Sequence, residues 1–96
     1  MGDRMIKACQ IEIYIYDSNC LKDKRRILKS IIDKLKSRYN IAIAETGYNE
    51  KWNRSVITFA VVSNSNQHLE KIIAKVLKSI ENDSRIEILN REIFRY

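Results

Sequence analysis

Proline is absent from this sequence, and the chain has only two glycines and one histidine. Gly47 is the only glycine beyond the N-terminal tail, so no glycine-rich loop can bring the backbone close around a phosphate. The only candidate base, His68, is expected in the first turn of a helix, where a solvated histidine is common. Cys9, Cys20 and His68 do not have the spacing of metal ligands. We therefore expect no catalytic centre, no metal, no cofactor and no enzymatic activity.

Long hydrophobic runs and paired cysteines are also missing. No apolar run approaches the ~18–20 residues that a membrane helix needs. Residues 1–4 lack the apolar stretch of a signal peptide. Cys9 and Cys20 do not form a Cys-x-x-Cys pair, and we expect both thiols to be buried or half-buried. These absences predict a cytoplasmic protein that has no membrane partner.

The composition is that of one globular domain. The chain has 96 residues, of which 45% are hydrophobic and 31% are charged, enough apolar material for one core and little for a second. We assign residues 5–96 to a single domain and residues 1–4 to an N-terminal extension. The lack of proline fits a domain with short loops.

Residues 18–39 predict one amphipathic helix around which the rest of the chain is organised. At about 100° per residue, six apolar side chains share one face and four basic ones line its flank, interrupted by Asp33. The apolar residues are Leu21, Leu28, Ile31, Ile32, Leu35 and Tyr39, and the basic ones are Lys22, Arg26, Lys29 and Lys36. We expect Ser18 or Asn19 to cap the start of the helix, and Asn40 to end it in the left-handed conformation.

The same helix carries the charge surplus of the protein. Residues 18–39 contain eight basic and two acidic side chains, a surplus that equals the formal net charge of the whole chain, +6 at pH 7. Attraction to a polyanion such as RNA or DNA should therefore come from this helix. The candidate phosphate contacts are Lys22, Lys24, Arg25, Arg26, Lys29 and, in a following loop, Arg54. These charges also suit a merely solvated helix face, and the sequence leaves both interpretations open.

Alternating and helical patterns predict six elements in the order strand, helix, strand, strand, helix, strand. We expect strands at residues 5–16, 41–46, 55–63 and 85–96, and a second helix between a cap at 64–66 and a break at 81–84. Right-handed crossovers then give an α+β ferredoxin-like βαββαβ sandwich. Its four-stranded antiparallel sheet would carry both helices on one face and have the first and third strands at its centre.

The other face of this sheet is expected to be open. Tyr14 and Tyr16 could offer stacking rings there, but the third strand lacks the aromatic signature of an RNA-recognition motif. Its outward residues are apolar or small: Val56, Thr58, Ala60 and Val62. Such a face often packs against another subunit, so we expect a homo-oligomer. We expect Trp52 to fold back over the core, with Gly47 permitting the turn before it.

Several stretches resemble the YlxP-like family of small bacterial proteins of unknown function. Residues 18–30, SNCLKDKRRILKS, are similar to that family's S-x-S-L-K-E-K-R-x-x-L-K-S stretch. Residues 44–54 carry its A-E-x-x-x-x-x-x-W-x-R pattern, and residues 61–64 are a further match. The resemblance covers nearly the full chain from Met5. The chain departs from the family's usual residues at three positions. Asp23 replaces the usual Glu, Cys20 replaces the usual Ser or His, and Tyr48 stands where His is common.

The resemblance implies a ferredoxin-like fold and a role related to RNA or the ribosome, because the family's genes often lie beside those for translation initiation factor 2 and ribosome-binding factor A. We therefore expect a non-enzymatic RNA- or ribosome-associated module. The alternative is a homodimeric ACT-like regulatory or scaffold domain with no nucleic-acid role. An enzyme acting on phosphorylated small molecules is the least favoured class.

Overall fold

A computed structural model of the chain describes residues 5–96. Its elements are β1 (Ile6–Ile15), α1 (Leu21–Arg38), β2 (Ala42–Gly47), β3 (Arg54–Val62), α2 (Asn66–Glu81) and β4 (Ile86–Arg95). The strands form one antiparallel sheet in the order β2-β3-β1-β4. The predicted ferredoxin-like βαββαβ fold and the central β1–β3 pair are therefore confirmed.

The core lies between the two helices and one face of the sheet. Every second residue of β1 and β3 is buried, as the alternating pattern predicts. These residues are Lys7, Cys9, Ile11, Ile13 and Ile15 of β1, and Ser55, Ile57, Phe59 and Val61 of β3. The buried helix residues are Lys24, Ile27, Leu28, Ile31 and Leu35 of α1, and Leu69, Ile73, Val76 and Ile80 of α2. No helix within residues 5–96 is both long and apolar enough to span a membrane.

The predicted caps of α1 are wrong, whereas the cap of α2 is confirmed. Cys20, not Ser18 or Asn19, is the N-cap of α1, and it makes no side-chain cap hydrogen bond. The helix ends at a C-cap, Tyr39, whose φ of −131° is extended. Asn40 is not left-handed, because the only non-glycine residue with positive φ among the described residues is Tyr48. In α2, the Ser65 hydroxyl accepts a hydrogen bond from the backbone N–H three residues on, at 3.3 Å.

Gly47 is required for close packing rather than for a left-handed turn. The β2–β3 register shifts between Glu45 and Gly47, which brings Gly47 opposite Val56. A Cβ on Gly47 would lie 3.0 Å from both Cβ and Cγ2 of Val56. The positive φ of 56° falls on the next residue, Tyr48. Gly47 therefore allows the close approach at the end of β2, and Tyr48 makes the left-handed turn that follows.

The β4 strand is an edge of the sheet and is mostly exposed. A register shift against Glu12 and Ile13 of β1 interrupts its alternation. Ile86 is buried, but Ile93, opposite Cys9 on the core side, is 53% exposed. The distal half of β4 is therefore exposed at the edge of the sheet, whereas the neighbouring residues of β1 are buried.

The two thiols lie in different surroundings. Cys9 is fully buried, and burial raises the pKa of its thiol. Cys20, at the start of α1, is exposed. The expectation that both thiols are buried or half-buried is therefore wrong for Cys20, because the N-cap of α1 lies at the protein surface.

Candidate nucleic-acid interface

Lys24 does not lie on the surface that the sequence predicted for phosphate contacts. Its side chain is fully buried, and its Nζ donates to the backbone carbonyl oxygens of Tyr48, Asn49 and Arg54 at 2.7, 3.3 and 3.1 Å. The same Nζ lies 3.0 Å from Oε2 of Glu45. The prediction for Lys24 is wrong because position 24 precedes Ile27 and Leu28 by three and four residues, which places it on the apolar stripe of α1.

The buried ammonium fixes a segment that we call the 48–53 loop, between β2 and β3. A buried charge is costly unless oxygen atoms compensate it, and four of them surround Nζ of Lys24. The Ser18 hydroxyl donates to the Trp52 carbonyl oxygen. The Ile15 N–H donates to the Asn53 carbonyl oxygen at 2.9 Å. The main chain of the loop is therefore held from the protein side at several points.

Four other predicted contacts of α1 are exposed: Lys22, Arg25, Arg26 and Lys29. Arg26 is 3.5 Å from a carboxylate oxygen of Asp23. Lys29 is 2.7 Å from Asp33, and this hydrogen bond raises the pKa of the Lys29 ammonium. Within residues 5–96, Lys22 and Arg25 belong to no ion pair. These two carry the least neutralised charge of the predicted set.

Arg54, the sixth predicted contact, lies away from the helix face. It is in the first position of β3, and its guanidinium is 3.5 Å from Glu12 on the neighbouring strand. The guanidinium carbon also lies 5.7 Å from the centre of the Tyr48 ring, a distance typical of a cation–π contact. Arg54 therefore belongs with the 48–53 loop and not with the basic residues of α1.

The structure also assembles a cationic groove that sequence reasoning missed. A cavity of about 740 Å³ lies between α1 and α2 and is lined by Lys34 and Arg38 of one helix and Lys75 and Lys78 of the other. We call it the interhelical groove. These four cations take part in no ion pair among the described residues. The spacing of Lys71, Lys75 and Lys78 in α2 was the available signal, but pairing them with α1 needs the packing of the two helices.

One carboxylate, that of Asp83, also lines the interhelical groove, but it is paired with the Arg85 guanidinium. Arg85 donates to it through Nε at 2.9 Å and through Nη2 at 2.7 Å. These bonds hold the pKa of Asp83 below its usual range. The Arg85 guanidinium also donates to the Ser30 hydroxyl at 3.2 Å. The charge of Asp83 is thus balanced by Arg85, and the groove stays cationic.

The open face of the sheet has the opposite character. Gln10, Glu12 and Tyr14 of β1 alternate with its buried residues, and β4 places Glu92 and Glu87 opposite Gln10 and Tyr14. On the other side of β1 lie small or apolar side chains of β3: Val56, Thr58 and Ala60. The open face therefore has more carboxylates than cations, whereas the exposed cations concentrate on the helices.

Trp52 is 46% exposed, so the prediction that it folds over the core is wrong. Its main chain is turned inward, since Ser18 binds its carbonyl oxygen. Tyr48 of the same loop is 42% exposed. A cavity of about 230 Å³ beside the loop is lined by Tyr14, Lys51, Asn53 and Arg54. Aromatic rings and cations thus meet at the end of the sheet where α1 begins.

Solved structures with the same fold include two designed proteins. The de novo designed protein Foldit4 has a TM-score of 0.60 at 15% identity, covering 95% of this chain and 98% of that protein. A de novo designed protein with a ferredoxin fold, LFR1 1, has a TM-score of 0.60 at 17% identity, covering 96% of this chain and 87% of that protein. At such identities the likeness establishes the fold alone.

Sequence comparison establishes the family. Residues 6–93 match the family described as "Protein of unknown function (DUF503)". The Bacillus subtilis (strain 168) protein described as "Uncharacterized protein YlxP" is 37% identical over 83 residues, covering 86% of this chain and 90% of that protein. The resemblance to YlxP-like proteins is confirmed, and the chain belongs to the DUF503 family.

Proposed function

We propose that the protein is a non-enzymatic, cytoplasmic module that binds RNA, including RNA of the ribosome, through phosphate contacts of its helix side. The observation that carries the proposal is a set of exposed cations on α1 and α2 without ion-pair partners among residues 5–96. This set, which we call the cationic face, consists of Lys22, Arg25, Lys34, Lys36, Arg38, Lys71, Lys75 and Lys78.

The extent of the cationic face favours a polymer as the ligand. An α-helix of 18 residues, the length of α1, is about 27 Å long at 1.5 Å per residue. Lys22 and Arg38 lie near its two ends, and the interhelical groove widens the face across α2. Phosphate contacts of this kind position a protein on a nucleic acid without reading its sequence. The proposed module therefore recognises the RNA backbone.

Salt dependence tests this proposal. Affinity for a fluorescent single-stranded RNA, measured by anisotropy, should fall by about 0.7 log unit per log unit of salt for each phosphate contact. Three or four contacts give a slope of about −2 to −3. The double variant Lys22→Glu/Arg25→Glu should flatten this slope and weaken binding to all sequences alike. The same holds for Lys34→Glu/Lys78→Glu in the interhelical groove.

The matched control is a charge reversal on a strand instead of on the two helices. Arg95 ends β4 and is exposed, so Arg95→Glu changes the net charge as much as Arg25→Glu does. The proposal requires Arg25→Glu to weaken binding more than Arg95→Glu. Equal effects of the two reversals would mean that only net charge matters, and unchanged affinity in a folded Lys22→Glu/Arg25→Glu variant would refute the proposed face.

A second candidate is a homodimeric ACT-like regulatory or scaffold domain with no nucleic-acid role. It is favoured by apolar side chains exposed along the edge strand β4 and at its end. Leu89, Ile93, Phe94 and Tyr96 are 40%, 53%, 37% and 60% exposed. An uncovered edge strand with apolar side chains is a pairing surface. Dimer formation together with the absence of salt-dependent RNA binding would favour this candidate over the first.

A further inference from the structure

We propose that the 48–53 loop is a stacking site for an unpaired base of single-stranded RNA, with Trp52 as the stacking surface. This inference rests on the proposed function, because the cationic face supplies the phosphate contacts that bring the strand to the loop. It adds a contact to a base, which the phosphate contacts of the helices do not provide.

The loop combines a fixed main chain with an exposed tryptophan. The fully buried ammonium of Lys24 binds the carbonyl oxygens at both ends of the loop region, those of Tyr48 and Arg54, and Ser18 binds that of Trp52. A tryptophan normally stabilises a fold by burying its large ring. Trp52 is 46% exposed instead, so the loop is fixed without using the ring for the core. A fixed loop that presents an indole to solvent is preorganised to bind a planar ligand.

The neighbours of Trp52 add charge and a second ring. Lys51 is exposed, belongs to no ion pair among the described residues, and lines the cavity of about 230 Å³ with Tyr14 and Arg54. The Arg54 guanidinium lies 5.7 Å from the centre of the Tyr48 ring, so one face of this ring is not available to stack on a base. Trp52 does not line that cavity and is the exposed ring left available for a base, while Lys51, the preceding residue in the chain, brings a cation that can meet an adjoining phosphate.

The chemistry of stacking selects single strands. In a duplex the faces of the bases are covered by their neighbours, whereas an unpaired base can lie on an aromatic side chain. Stacking on one such ring contributes about 5- to 150-fold in affinity and tolerates any base, because every base has a π-face. The expected ligand is therefore an unstructured RNA segment, and a helical RNA of the same length should bind only through its phosphates.

The experiment uses the only tryptophan of the chain as its reporter. The full-length protein is titrated with an adenosine decamer of single-stranded RNA, with a decamer of abasic ribose phosphate and with an RNA duplex of the same length. Anisotropy of labelled strands reports binding, and Trp52 emission reports stacking. We expect all three ligands to bind at low salt, and the adenosine decamer alone to quench the emission.

Variants separate stacking from a merely structural role of the ring. Trp52→Leu should weaken binding of the adenosine decamer at least fivefold and leave abasic binding unchanged, while Trp52→Phe should retain part of the lost affinity. Tyr96, 60% exposed at the end of the chain, supplies the control: Tyr96→Leu removes another exposed ring and should change neither affinity.

The outcomes distinguish this proposal from the one on which it rests. Salt-dependent binding without quenching, or a Trp52→Leu variant that binds the adenosine decamer as tightly as the native protein does, would overturn the stacking site and leave the phosphate contacts standing. No binding of any strand at low salt would overturn both. Tighter binding of the corresponding DNA decamer would overturn RNA as the ligand.

Discussion

Replacing Lys24 by methionine is expected to destabilise the protein more than any other single change at a basic residue of α1. Methionine keeps the apolar stem of the side chain but removes the ammonium, which takes one charged donor away from three carbonyl oxygens and the Glu45 carboxylate. Removing one partner of a buried ion pair costs about 3–5 kcal/mol. Domains of this size have about 5–15 kcal/mol of total stability, so the loss is a large part of the total.

The loss can be measured by equilibrium unfolding in urea, followed by far-UV circular dichroism. At about 4–8 °C per kcal/mol for domains of 60–100 residues, a loss of 3 kcal/mol lowers the melting temperature by roughly 12–24 °C. Lys22→Met is the matched control, since Lys22 lies on the same turn but is exposed. Surface changes of this kind usually fall within about 0.5 kcal/mol.

A second substitution tests whether the ion pair is the reason. Glu45 is 20% exposed through its side chain and accepts a hydrogen bond from the Ser55 hydroxyl at 2.7 Å. In the Lys24→Met variant the Glu45 carboxylate has already lost its ion-pair partner. Adding Glu45→Gln should therefore lower the free energy of unfolding less in this variant than in the native protein. The reasoning is refuted if Lys24→Met and Lys22→Met unfold at the same urea concentration, or if the two effects simply add.

Three further predictions concern other parts of the molecule. A chromogenic disulfide reagent should modify one thiol rapidly in the folded protein, that of exposed Cys20, and reach buried Cys9 only after unfolding. The Arg85 hydrogen bonds lower the pKa of Asp83 below its ordinary 3.8; their contribution to stability is present above that value and is lost as the pH falls through the lower pKa of the folded state. The native protein should therefore lose stability more steeply than Asp83→Asn below about pH 4. Sedimentation equilibrium should show self-association that Ile93→Lys, on the exposed edge strand β4, abolishes.

Each of these predictions has an outcome that contradicts it. Two thiols reacting at the same rate would mean that Cys9 is accessible in the folded state. Parallel acid unfolding curves of the native protein and Asp83→Asn would mean that the Arg85 contact does not stabilise the fold. A monomer mass at high micromolar concentration would remove the homodimer as a candidate, while an oligomer insensitive to Ile93→Lys would place the interface elsewhere.

The fold could be predicted from the sequence because it depends on local periodicity. Alternation in β1 and β3, and the 3.6-residue repeat of apolar side chains in α1 and α2, follow from backbone geometry and the burial of apolar surface. The order of these elements leaves few right-handed topologies, of which the ferredoxin-like sandwich is one. The exposure of Lys22, Arg26 and Lys29 also follows from their place on the helix flank. Periodicity is a property of neighbouring residues, so the sequence alone contains it.

The tertiary structure decided which charges are available and where the aromatic ring points. Lys24 has the same charge as Lys22, but only the packing of α1 against the β2–β3 connection surrounds its ammonium with oxygen atoms. The interhelical groove combines cations more than thirty residues apart, such as Lys34 and Lys78. Trp52 is exposed although Ser18, 34 residues away, holds the main chain of its loop. Burial and pairing depend on contacts between remote segments, and the local pattern of a sequence does not encode them.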